Sequence, residues 1–167
     1  KNPGFQNEKA VFQPRDGHIV AAEIRDASVT DLTPLSGLPL EILGLAGNPV
    51  ADLTPLRGMP LGELDLERTE VEDLLPLAGM PLRSLWLNST PVSDLRPLAG
   101  MPLVQLSLLG TKVTDLTPLQ GMPLESLWLN ETAVTDLAPI AESPLVSLTL
   151  HHAPVSDISV VRQLPSL

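Results

Sequence analysis

The sequence predicts an α/β-type repeat solenoid, in which short strands stack into a parallel sheet on one side and tight 3-10 or irregular turns return the chain on the other. Three observations predict it. Prolines recur every 21 residues from Pro39 to Pro165, and columns from Asp31 to Asp157 and from Val29 to Val155 keep the same spacing. Such a period marks stacked units rather than one mixed core. Inside a unit, Leu85 and Leu87 alternate with Ser84, Trp86 and Asn88, the period of two that sends alternate side chains of a strand to opposite faces. Finally, a unit this short cannot bury its own leucines, so neighbouring units must cover them and their strands align side by side.

In chain order, residues 1–28 are expected to form an N-terminal capping segment with a degenerate first repeat, since Ile19, Ala22, Ile24 and Val29 align with Leu40, Leu43, Leu45 and Val50. Phe5, Val11 and Phe12 are expected to cover that end of the array. Residues 29–167 are tandem 21-residue units. The array is expected to continue, or to be capped, beyond 167, because Leu164 and Leu167 would otherwise leave apolar surface bare. Glu142 and Gln163 stand where Gly37, Gly58, Gly79, Gly100 and Gly121 stand in the other units.

Between Pro102 and Met122 the unit reads P-L-x-x-L-x-L-x-x-T-x-V-x-D-L-x-P-L-x-G-M. Its L-x-x-L-x-L-x-x-N-x-L core, here with Thr usually at the Asn place, resembles a leucine-rich repeat. The short unit and its D-L-x-P-L segment resemble the bacterial, internalin-like type over nearly all of residues 17 to 167. That resemblance implies a right-handed leucine-rich-repeat horseshoe with the parallel sheet on its concave face. The opening Asn2-Pro3-Gly4-Phe5 and the array after it also resemble leucine-rich regions attached to bacterial serine/threonine kinases. No kinase element accompanies them, since the chain has no glycine-rich nucleotide loop, V-A-I-K, H-R-D or D-F-G.

The return segment explains several further columns. Asp94, ahead of Leu95, Arg96, Pro97 and Leu98, is placed to cap a single helical turn, with Pro97 fixing φ and Gly100 permitting the turn back. A calcium role for the aspartates is weaker, because each has apolar and proline neighbours instead of clustered oxygen ligands. Thr69, Thr90, Thr111, Thr132 and Asn48 fall where a buried polar side chain satisfies backbone groups at the strand exit. Met59, Met80, Met101 and Met122 repeat as a core ladder.

Composition narrows the function. With 20 acidic and 10 basic residues the formal charge is −10 and the pI about 4.5, which repels phosphate backbones and anionic headgroups. Nucleic acid is therefore excluded as an expected partner. Membrane insertion of this segment is excluded too, because no stretch approaches eighteen consecutive apolar residues. The absence of cysteine removes disulfides and thiolate chemistry and leaves the compartment open. His151 and His152 sit together at a strand end, where alternation should point them in different directions as solvated surface residues. No serine or carboxylate stands in a nucleophile context, so catalytic residues, cofactor and metal are all expected to be none.

The candidate site comes from register. Trp86 and Trp128 lie between inward leucines, two strands apart, and therefore project from the exposed sheet face with Ser107 between them. At a strand spacing of about 4.8 Å their rings stand on the order of 10 Å apart, forming a shallow slot. Asn88 and Asn130 occupy the neighbouring outward position, and Glu63, Asp65 and Glu67 make the adjacent part of the face acidic. These residues predict a non-catalytic recognition module that binds a protein or peptide on the concave face through Trp86, Asn88, Ser107, Trp128 and Asn130, flanked by Asp65 and Glu67. A carbohydrate-binding face, with the two indoles stacking on sugars, is the alternative. A spacer or sensor region of a larger bacterial signalling protein is the third reading.

Overall fold

A computed structural model describes residues 2–162 and 164. The sequence expectations for Gln163, Pro165 and Leu167 lie outside the described residues. Eight strands form one sheet in chain order: β1 (Ala10–Arg15), β2 (His18–Ile24), β3 (Ile42–Gly44), β4 (Glu63–Asp65), β5 (Ser84–Trp86), β6 (Gln105–Ser107), β7 (Ser126–Trp128) and β8 (Ser147–Thr149). From β2 onward every pair is parallel, and each step advances the register by one repeat, so Ala22, Leu43, Leu64, Leu85, Leu106, Leu127 and Leu148 form one row.

The core is built from these rows. In the unit from Leu103 to Met122, the side chains of Leu103, Leu106, Leu108, Val113, Leu116, Leu119 and Met122 are all buried, and Met59, Met80 and Met101 repeat the same environment. Fully burying one such side chain contributes about 1.5–3 kcal/mol relative to exposure. Those contributions lie between neighbouring units, so the fold is stabilised along its length.

One expectation for the ends needs correction. The sheet is not wholly parallel, because β1 returns on β2 as an antiparallel hairpin with a register shift between Gln13 and Pro14. Phe12 pairs with Ala22 and so extends the leucine row, yet it remains 43% exposed, beside Phe5 at 40% and Val11 at 56%. Phe5 and Phe12 line an apolar cavity of about 310 Å³ with Ile24, Val29 and Leu35, of which Ile24 and Val29 are each 4% exposed. At the other end Leu164 is buried rather than bare.

Opposite the sheet, six of the seven described returns cross a three-residue 3-10 turn containing proline, such as Thr54–Leu56, Arg96–Leu98 or Thr117–Leu119, and the last crosses Ser159–Arg162, which has none. The aspartate caps each turn as expected: its Oδ1 accepts the backbone N–H two residues on, at 2.8–2.9 Å in all seven units. This is an Asx turn that leads the chain into the 3-10 turn. After the turn, the residue before each glycine from Gly37 to Gly121 has ψ between +126° and +130°. Where Glu142 replaces glycine, Ala141 stays helical at ψ −29°, because a glutamate does not readily take the left-handed φ near +74° that the glycines adopt.

The strand exits carry the second set of polar bonds. The hydroxyls of Thr69, Thr90, Thr111 and Thr132 each donate to the carbonyl three residues back at 2.7 Å. Buried Asn48 accepts from the backbone N–H groups of Ala27 and Val29 and donates to the carbonyls of Ile24 and Leu45. Just beyond lies a column invisible in the residue types. Asp26, Gly47, Arg68, Ser89, Gly110, Glu131 and His152 all have φ between +48° and +72°, although only two are glycine.

Candidate functional site

The parallel register places Trp86, Ser107, Trp128 and Thr149 in one row on the open side of the sheet, directly paired from strand to strand. Side chains paired in this way share a face. Both tryptophans are half-buried, while Ser107 between them is only 4% exposed. The expected slot is therefore closed at its floor. Two indoles flank one short, buried side chain in the row, so the three residues form an aromatic platform with a low centre. Ser107 is a structural member of it, not an exposed contact. Among the described residues neither indole N–H is hydrogen-bonded.

Beside the platform, the Ser107 hydroxyl donates to Asn88 Oδ1. The amide of Asn88 donates in turn to Glu67 Oε2 at 3.4 Å, and Glu67 meets Arg68 at 3.0 Å. This chain of bonds runs from β4 to β6 and fixes the rim along the strand exits. Asn130, in the same column as Asn88, does something different. Its Oδ1 accepts the backbone N–H of His151 at 2.8 Å, and its Nδ2 has no partner among the described residues. The repeated motif "SLWLN" thus yields two equivalent indoles and two inequivalent amides, because a serine follows Trp86 in the row whereas Thr149 follows Trp128. The Thr149 hydroxyl oxygen is buried without a partner, a feature the sequence did not mark.

The acidic flank is tied up more than its composition suggests. The Asp65 side chain is 12% exposed and lies 2.8 Å from Arg25 Nη1, while Arg25 Nε bonds Glu23 at the same distance. Asp65 also accepts the Glu67 backbone N–H at 2.9 Å. Asp65 is therefore held as part of the scaffold, and Glu67 is shared between Arg68 and Asn88. Glu23, Arg25, Asp65 and Trp86 border a cavity of about 100 Å³.

His151 and His152 are exposed, as expected of surface residues, but they do not point in different directions. The rings of His151 and His152 lie 3.8 Å apart at 34°. Strand alternation fails here because His152 has left the strand and stands at φ +61°, which swings its ring back over its neighbour.

No protein-family model matches the chain, and no curated protein does. Among solved structures it is similar to an internalin C2 from Listeria monocytogenes, with a TM-score of 0.85 and 35% identity over 89% of this chain and 69% of that one. It is also similar to an internalin (inlF) from the same species, with a TM-score of 0.83 and 32% identity over 89% of this chain. The chain belongs to the internalin-like leucine-rich-repeat proteins. It spans 46% of the inlF chain, so the internalin-like array described here corresponds to part of a longer relative. This membership agrees with the fold read from the repeat and with its bacterial type.

Proposed function

We propose that this internalin-like array is a non-catalytic recognition module that binds a protein or peptide segment on the concave face of its sheet. The observation that carries the reading is the row Trp86–Ser107–Trp128, in which two half-buried indoles present apolar area on a rigid ladder. Aromatic anchors on a preorganised surface are the usual centre of a binding patch, because they offer much contact area for little conformational entropy. Asn88 and Glu67 form one polar rim, and the open amide donors of Asn130 supply another. Asp65 serves by holding Arg25 and the β4 exit in place.

Selection from a displayed peptide library on the intact chain tests this reading, with counter-selection on a Trp86→Ala/Trp128→Ala variant and a glycan array in parallel. Peptides whose affinity falls about 30-fold or more in the variant, equivalent to about 2 kcal/mol, are the expected result. Recovery of glycans alone, or of peptides indifferent to both substitutions, would replace it with the carbohydrate reading or remove the platform from function.

A further inference from the structure

We infer that the segment recognised by the Trp86–Trp128 platform is a basic polyproline-II stretch lying across the strands. This inference rests on the platform being a peptide site and goes further, to the conformation and charge of the ligand.

Conformation follows from spacing. Trp86 and Trp128 are separated by two ladder steps, about 9.6 Å at the ordinary strand separation. A polyproline-II helix rises about 3.1 Å per residue with three residues per turn, so side chains three apart lie on one side about 9.3 Å from each other. One such turn spans the two indoles. An extended β-strand matches poorly, because residues three apart, also about 10 Å distant, point to opposite sides. The buried Ser107 keeps the middle of the platform low, which suits a ligand that touches both indoles and bridges the gap. A polyproline-II backbone makes no internal hydrogen bonds, so its carbonyls are free to accept from the indole N–H groups and from Asn130 Nδ2, which have no partner among the described residues.

Charge follows from what surrounds the row. The chain carries −10 overall, and Arg25 and Arg68 are already committed to Glu23, Asp65 and Glu67. Glu63, Glu125 and Glu131 are exposed near the two ends of the strands bearing the platform, and none forms an ion pair among the described residues. Arg83 is the exposed cation on that side without an ion-pair partner among the described residues. Indole faces attract cations, and arginine stacks on them with its planar guanidinium. A ligand with arginine at every third position therefore meets both the rings and the excess of carboxylates.

The chain has two tryptophans and no tyrosine, so its intrinsic fluorescence reports the platform alone. Titration with a peptide of three Pro-Pro-Arg triplets should shift that emission. Its affinity should exceed by about tenfold or more that of a Pro-Pro-Glu peptide and of a flexible Gly-Ser-Arg peptide of equal length, and should weaken as salt is raised. Trp128→Ala, followed by Trp86 emission, should lower it by about tenfold or more. Equal binding of the Pro-Pro-Glu peptide would overturn the charge while leaving the platform a peptide site. Equal binding of the Gly-Ser-Arg peptide would overturn the conformation. Absence of any emission change with all three peptides overturns the inference as a whole, and binding indifferent to Trp128→Ala overturns the platform as well.

Discussion

Ser107 shows how one side chain redefines a surface. Alternation correctly puts it on the open face, but exposure depends on its two neighbours in the ladder, and those are indoles 21 residues away in either direction. A period-two pattern carries facing and no information on neighbour size, so the slot became a platform. The left-handed column is another matter settled residue by residue. Glu131 stands at φ +58° and Gly110 at φ +66° in equivalent places, and a side chain in this region costs on the order of 1–2 kcal/mol. Gly110→Ala, whose new methyl would meet no atom closer than 3.6 Å, should therefore lower stability by about 1 kcal/mol through backbone strain alone. Glu131→Gly should be neutral or raise it by up to about 1 kcal/mol, the gain being offset by the entropy of glycine in the unfolded chain. Urea unfolding of the pair measures both, and a more stable Gly110→Ala beside a less stable Glu131→Gly would show that the strand exit does not require this conformation.

Among the elements, the 3-10 turns give the molecule its expected response to acid. The side chain and then the backbone N–H of Thr117 hold Asp115 below its ordinary value of 3.8, as those of Thr54 do for Asp52. Arg96 does the same for Asp94, through its side chain first. A depressed carboxylate pKa stabilises the fold fully above the unfolded value and loses that contribution as pH falls through the lowered one. Thermal stability should thus hold between about pH 7 and 5 and decline below about pH 4. Asp115→Asn should behave at neutral pH nearly as the parent and lose part of the acid decline, while Asp115→Ala should melt lower at every pH. A melting temperature that falls between pH 7 and 5 and then levels off would assign the transition to other groups. The turns were legible in the sequence because the Asp, Pro and Gly columns each have a local cause.

For the molecule as a whole, periodicity carried most of the fold, and it failed where the period ends. The parallel rows and the core ladders follow from repetition, whereas the antiparallel β1, the exposed Phe5 and Phe12, and the stacked His151 and His152 occur at or near the ends, where no equivalent unit predicts them. The candidate site was legible to the same degree. Register located both tryptophans, but the hydrogen bonds that distinguish Asn88 from Asn130 depend on the next strand and lie outside any single repeat. The central claim is that these indoles belong to the surface of a rigid ladder and not to its core. Equilibrium urea unfolding of Trp86→Ala and Trp128→Ala beside Leu106→Ala tests it most directly. Leu106→Ala should lose about 2–5 kcal/mol, as a buried leucine does, while each tryptophan variant stays within about 1 kcal/mol of the parent. A loss at Trp86 as large as that at Leu106 would contradict the account, because the ring would then be supporting the fold.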